Sequence, residues 1–186
     1  MEDYIFPIKL VSERVNESFD LDRFKNIIQE YRQEHPSVQK SNKGGWQSQL
    51  FPPDESISGS NFFSDMVRSA AETYKRGTRL GELGLDLELD TFWFNVNPPG
   101  TYNSLHIHPG SILSGVFLVS CPENCGRLIV RHPNEMVNYY LGPDELSIDP
   151  QEGLLVLFPS YLPHLVESNQ GSEDRISISF NLNIKQ

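Results

Sequence analysis

Two of the chain's five histidines stand two residues apart in Asn103-Ser104-Leu105-His106-Ile107-His108-Pro109-Gly110. A strand alternates its side chains, so in an extended segment His106 and His108 project from one face. Neutral imidazole is the commonest protein ligand of transition metals, and two rings on one face can share an ion. Taken alone, the pair equally suits two ordinary histidines at a strand end. A third, His164, lies in Phe158-Pro159-Ser160-Tyr161-Leu162-Pro163-His164-Leu165-Val166, an apolar strand running into a proline-ordered segment. Arg175 opens Arg175-Ile176-Ser177-Ile178-Ser179-Phe180-Asn181, where alternation sends Arg175, Ser177, Ser179 and Asn181 one way and the apolar residues the other. A hairpin loop over Ser168–Asp174 would make His164 and Arg175 cross-strand partners with Cβ atoms about 5 Å apart. An ion on the histidines would then lie within reach of a dicarboxylate. The planar fork of Arg175 suits its far carboxylate, and Ser177 suits a further hydrogen bond to it. The competing expectation for Arg175 is a surface ion pair with Glu173 or Asp174, its serines facing water.

The elements that must position these groups fall into two stretches. Tyr4–Val11 reads as a short apolar strand that Pro7 pushes toward a sheet edge. Leu21, Phe24, Ile27, Ile28 and Tyr31 carry helical periodicity, with Ser18 or Asp20 as N-cap and Pro36 beyond the end. A polar glycine loop, Ser41-Asn42-Lys43-Gly44-Gly45-Trp46-Gln47-Ser48, comes next. Phe63, Met66, Val67, Ala70 and Tyr74 then share one face of a second helix, capped by Ser60, and that stripe reads as core. From Leu85 the pattern changes to short strands separated by turns: Leu87–Asn97, Ser104–His108, Leu113–Ser120, Arg127–Arg131, Glu145–Ile148, Gly153–Phe158, Leu162–Glu167 and Arg175–Ile184. Strands so closely spaced predict a mainly β fold, a sandwich or barrel such as a Greek-key double-sheet roll, with the N-terminal helices covering one outer face.

A chain of 186 residues suits a single domain with a sizeable core. The expected division is an N-terminal part, 1–84, packed on a β core, 85–186. A net charge of −10 argues against a nucleic-acid partner, which calls for a basic patch. No apolar run approaches the ~18 residues of a membrane span, and the acidic start lacks a signal-peptide pattern. The expected location is the cytoplasm. Cys121 and Cys125 are too few for a disulfide framework and are expected as reduced thiols.

With these motifs in place, the chain resembles the iron(II)- and 2-oxoglutarate-dependent oxygenases. That superfamily carries a His-x-Asp/Glu pair, a distal His and an Arg, often in Arg-x-Ser, on a double-stranded β-helix of the jelly-roll or cupin-like type. His106-Ile107-His108, His164 and Arg175-Ile176-Ser177 stand at those places. A little-characterised bacterial and viral branch is more similar still. The similarity to it runs through Ser41-Asn42 and Gly45-Trp46, Trp93, Asn95 and Asn97, His106 to Ser111 with Ser114-Gly115-Val116, and Phe158-Pro159-Ser160. The resemblance implies Fe(II) on His106, His108 and His164, 2-oxoglutarate as cosubstrate held by Arg175 and Ser177, and O₂ as oxidant. It implies a hydroxylase of a small molecule or a protein side chain. Trp93, Asn95, Tyr102, Asn103 and Ser114 are candidates for the pocket wall.

One departure stands out: His108 replaces the superfamily's carboxylate, which makes the metal complex one charge unit more positive. An all-histidine site can still hold Fe(II), and the other possibility is that His108 only supports the ligands. Two alternative functions remain open. One is a three-histidine, cupin-type dioxygenase that needs no 2-oxoglutarate, with Arg175 on the substrate. The other is a metal-binding module without turnover. His35 and His132 read as structural, His35 at a helix C-terminus where a cation favours the dipole.

Overall fold

The computed structural model describes residues 7–15, 20–54, 60–142 and 144–185, without the side chains of 60–62, 138 and 141. The elements are β1 (Val11–Arg14), α1 (Leu21–Glu34), β2 (Asn42–Lys43), β3 (Trp46–Gln47), α2 (Ser60–Lys75), α3 (Arg79–Glu82), β4 (Leu87–Asn97), β5 (Tyr102–His106), β6 (Leu113–Ser120), β7 (Leu128–Arg131), α4 (Glu135–Leu141), β8 (Glu145–Ile148), β9 (Leu154–Pro159), β10 (His164–Val166) and β11 (Arg175–Ile184). The strands form two antiparallel sheets, one in the order β1-β9-β6-β11-β4-β3 and the other β2-β5-β10-β7-β8. This is the mainly β, double-stranded β-helix expected from the sequence.

The helices form where the periodicity places them. Asp20 caps α1, its Oδ1 accepting from the Arg23 N–H at 2.9 Å. The helix ends at His35, whose extended backbone (φ −128, ψ 135) is what a residue before proline adopts. Capping by Ser18 or by the Ser60 side chain lies outside the described residues, as do Tyr4, Ile5 and Phe6. Among the described residues the first strand begins at Val11, with Pro7–Leu10 outside it, and pairs with β9 at the sheet edge. Residue alternation then sorts the core into two layers. Phe117, Val119, Leu155, Leu157, Ile176, Ile178 and Phe180 pack with Phe24 and Ile28 of α1 and with Phe63, Val67 and Ala70 of α2. Val116, Leu118, Val156 and Phe158 face the other way and meet Leu128 and Val130 of the second sheet. Both faces of β6 are therefore buried, and each large apolar side chain so placed contributes about 1.5–3 kcal/mol.

Gly115 shows how tightly the helix-side layer is filled. A Cβ there would collide with the Phe180 ring and come 2.8 Å from the Val156 carbonyl oxygen. Gly115→Ala is expected to destabilise the protein by about 1–3 kcal/mol, read from the shift of a urea unfolding midpoint.

The sequence reading missed α4, a seven-residue helix in the β7–β8 connection whose N-cap Asn134 accepts from Met136 N–H at 2.9 Å. Its Met136, Tyr139 and Tyr140 are exposed. No helix is long and apolar enough to cross a membrane among the described residues.

Candidate metal centre

His106 is the last residue of β5 and His164 the first of β10, and the two are direct ladder partners. Their ring centroids stand 4.3 Å apart. His108 reaches the same place differently. The strand stops at His106, so alternation along a strand does not place His108. Its backbone N–H instead donates to the Ser160 carbonyl at 3.0 Å, and Gly110 turns the chain with φ +90. The ring is sandwiched between Trp93, at 5.5 Å and 28°, and His164, at 5.0 Å and 7°.

Hydrogen bonds fix two tautomers. His106 Nδ1 lies 2.7 Å from the Ser104 carbonyl and His164 Nδ1 2.9 Å from the Leu162 carbonyl. A carbonyl only accepts, so each Nδ1 carries the proton and each Nε2 keeps a free lone pair. One nitrogen from each of the three rings falls within 4.8 Å of the others. His108 Nε2 and His164 Nε2 are 3.2 Å apart. Two imidazole nitrogens held about 2.1 Å from one ion stand about 3.0–3.4 Å apart between octahedral and tetrahedral angles. The three side chains therefore fit a transition-metal ion.

Burial keeps these rings neutral. It pushes His164 down to about 3, with the neighbouring His106 adding to the shift, and His108 down to about 4 with the same help from His106. Burial also lowers His106. A depressed pKa means that protons compete with a metal only in acid. Fe(II) affinity, titrated anaerobically, is expected to persist below the ordinary imidazole range of about 6.5 and to fall further into acid. A decline already complete by pH 6 would contradict the burial seen here.

Arg175 sits across the interior on the other sheet, in register with Asn97. The expected cross-strand pairing of His164 with Arg175 is therefore wrong. The intervening segment is a crossover between sheets, held by Asn169: its Nδ2 donates to the Asn97 carbonyl at 2.8 Å and to the Glu173 carbonyl at 2.7 Å. The surface ion pair is also ruled out. Arg175 is 1% exposed, and Asp174 pairs with Arg32 at 2.8 Å. The guanidinium Nη1 donates to Ser177 Oγ at 3.2 Å, while Nε and Nη2 are buried with no partner. Two unpaired donors on a buried cation are costly, and a carboxylate would satisfy both. The groups present thus fit an organic acid as well as a metal.

The histidines and Arg175 open on one cavity of about 550 Å³ between the sheets. Ser177, Trp93, Asn95, Asn103 and Ser114 line it. Tyr102 does not: alternation along β5 turns Asn103 inward and leaves Tyr102 43% exposed. Ser114 Oγ bridges Ser160 Oγ at 2.7 Å and Asn181 Oδ1 at 2.8 Å, and Asn95 Nδ2 donates to Ser179 Oγ at 2.9 Å. Lys40, Gln47 and Asn181 also line the wall. Asn181 was legible from the alternation of β11. Lys40 was not, because a lone charge in a polar run looks like any solvated lysine.

The remaining sequence candidates lie elsewhere. His35 stacks on Tyr31 at 3.8 Å, and His132 Nδ1 accepts from the Asn134 N–H at 3.1 Å. Cys121 and Cys125 are free thiols. The hydrogen bond between them raises Cys121 and lowers Cys125, and the Arg175 charge favours the thiolate of both.

Residues 91–181 match the family model described as "Putative 2OG-Fe(II) oxygenase". No curated protein matches the chain in sequence. Among solved structures, a Pseudomonas putida prolyl-4-hydroxylase superposes with a TM-score of 0.68 at 16% identity, over 96% of this chain and 94% of that one. A 2OG-Fe(II) oxygenase family oxidoreductase from Burkholderia pseudomallei gives 0.64 at 13%, over 94% and 85%. The viral collagen prolyl hydroxylase of Paramecium Bursaria Chlorella virus-1, solved as a 2OG complex, gives 0.62 at 13%, over 92% and 94%. At such identities the likeness is one of fold.

Proposed function

We propose, from the match of residues 91–181 to the 2OG-Fe(II) oxygenase family model, that the protein is a 2-oxoglutarate-dependent dioxygenase acting as a hydroxylase. The observation that carries the reading is the juxtaposition of a three-imidazole cluster with a buried, half-unpaired guanidinium in one cavity. In this reading residues 1–186 act as one unit, since β2 and β3 of the N-terminal part complete the sheets that carry the site.

His106, His108 and His164 would hold Fe(II), and Arg175 with Ser177 would hold the distal carboxylate of 2-oxoglutarate. When bound, these groups supply the activation of O₂ and its coupling to oxidation of a C–H bond. The chain's own part is placement. Ser104 and Leu162 carbonyls keep the ε nitrogens of His106 and His164 unprotonated and aimed inward. Trp93 stacked on His108 limits the rotation of a ring whose own segment has left the strand. Ser177 accepts from Nη1 and so fixes one edge of the guanidinium, while its hydroxyl proton stays available to a carboxylate oxygen. Phe158, packed edge-on to His164 at 4.8 Å, keeps water from that side of the cluster.

The experiment is O₂-dependent formation of succinate from 2-oxoglutarate by the Fe(II)-loaded protein. Turnover that needs Fe(II), O₂ and 2-oxoglutarate together supports the oxygenase. Oxidation of a substrate without 2-oxoglutarate would favour the cupin-type alternative, and Fe(II) binding with no turnover a plain metal-binding module.

A further inference from the structure

We propose that the primary substrate is a small carboxylic acid whose carboxylate is held by Lys40 at the cavity mouth; this rests on the oxygenase reading above. Aspartate and glutamate outnumber lysine and arginine 25 to 15 in the chain. Yet no Asp or Glu among the described residues lines the cavity, whereas Lys40 and Arg175 both do. An acidic protein has kept its acids out of this one concavity, and low-dielectric walls focus whatever charge remains there.

The charge count gives the sign of the missing partner. Three neutral imidazoles leave the divalent ion its full charge, because His108 stands where a carboxylate would cancel one unit. The two carboxylates of 2-oxoglutarate are met by Arg175 and by half of the ion's charge. One positive unit then remains at the metal and a second at Lys40. A neutral substrate would leave both uncompensated, and a carboxylate reduces the excess.

The backbone of Lys40 is anchored while its side chain stays exposed. Its backbone N–H donates to Asn42 Oδ1 at 2.8 Å, and buried Asn42 anchors the loop through the Gly45 carbonyl at 3.0 Å and Ser37 Oγ at 3.3 Å. Among the described residues Lys40 makes no ion pair, although Lys75 pairs with both Glu72 and Asp86. Around it the rim is apolar: Leu50, 56% exposed, and Ile107, 45% exposed, line the cavity beside Val38. Deeper in, Asn95 Oδ1 is buried without a partner, an acceptor for an N–H or O–H of the substrate. The substrate is thus an acid with a short apolar body and a hydrogen-bond donor.

N-acetyl-L-leucine and N-acetyl-L-leucinamide test this, since they share shape, apolar body and N–H and differ in one charge. Each is titrated calorimetrically into the anaerobic Fe(II)–2-oxoglutarate protein. The 2-oxoglutarate charge-transfer band is recorded first in the same sample, so failure of the cosubstrate site registers separately. The acid is expected to bind roughly tenfold more tightly than the amide, with a preference that shrinks in high salt. Lys40→Gln is expected to cut the preference to about twofold, and Lys40→Arg to restore most of it. Equal affinities, or no binding by either at tens of millimolar, overturns the proposal, as does a Lys40→Gln protein that keeps the full preference. A loss of 2-oxoglutarate affinity in Lys40→Gln as large as the loss of acid binding would also overturn it, by assigning Lys40 to the cosubstrate.

Discussion

Arg175→Met is expected to lower the affinity for 2-oxoglutarate by roughly 30- to 4000-fold, the equivalent of the 2–5 kcal/mol lost when one partner of a buried charge pair is truncated. The same substitution is expected to leave the cosubstrate-free protein as stable as the parent or more so. The guanidinium is 1% exposed and keeps two donors unpaired. Burial itself lowers its pKa, which is the signature of a charge held where it is disfavoured. Replacing such a charge with an apolar side chain of similar volume is often neutral or stabilising by about 1–4 kcal/mol. Anaerobic titration of the Fe(II) protein measures the first effect and urea unfolding of the apoprotein the second. The opposite signs are the point. A residue kept only for the fold would lose stability when truncated, whereas one kept for a ligand loses the ligand. Arg175→Lys is expected to recover little of the affinity, because a single ammonium cannot offer the paired donors Nε and Nη2.

His106→Ala, His108→Ala and His164→Ala are each expected to weaken Fe(II) binding by more than about 100-fold, since losing even a supporting partner of a metal ligand costs 10–100-fold. His108 is the informative member. Its Nε2 stands 3.2 Å from that of His164, the spacing of two ligands on one ion. His108→Asp is expected to keep Fe(II), since a carboxylate can ligate iron beside two imidazoles. If His108→Ala weakened Fe(II) binding by no more than about 10–100-fold while the other two lost it altogether, His108 would be a supporting residue. Equilibrium dialysis under anaerobic conditions separates these outcomes.

Most of this site was legible before any coordinates. The apolar and polar halves of Arg175–Ile184 fall on opposite faces as period two demands, and the strands Leu87–Asn97, Leu113–Ser120 and Glu145–Ile148 have the boundaries read from the sequence. Such elements are fixed locally by alternation and by turns. What failed was non-local. His164 and Arg175 line one cavity, yet from different sheets, because the segment between them crosses over instead of folding back as a hairpin. Periodicity says which face a residue takes and nothing about which strand lies beside it. His108 arrived in the cluster for a reason the sequence did not supply, a hydrogen bond to the Ser160 carbonyl from 52 residues further along. Tyr102 and Asn103 are adjacent, and only the strand's register decides which one enters the cavity. Helix α4 escaped because it is only seven residues long and exposes Met136, Tyr139 and Tyr140.

The central claim, that three imidazoles and one guanidinium converge to hold Fe(II) and a five-carbon diacid together, has a direct test. Adding 2-oxoglutarate to the anaerobic Fe(II) protein is expected to produce a visible metal-to-ligand charge-transfer band that saturates at one equivalent. Fe(II) bound to the protein with no such band at saturating 2-oxoglutarate would contradict the account.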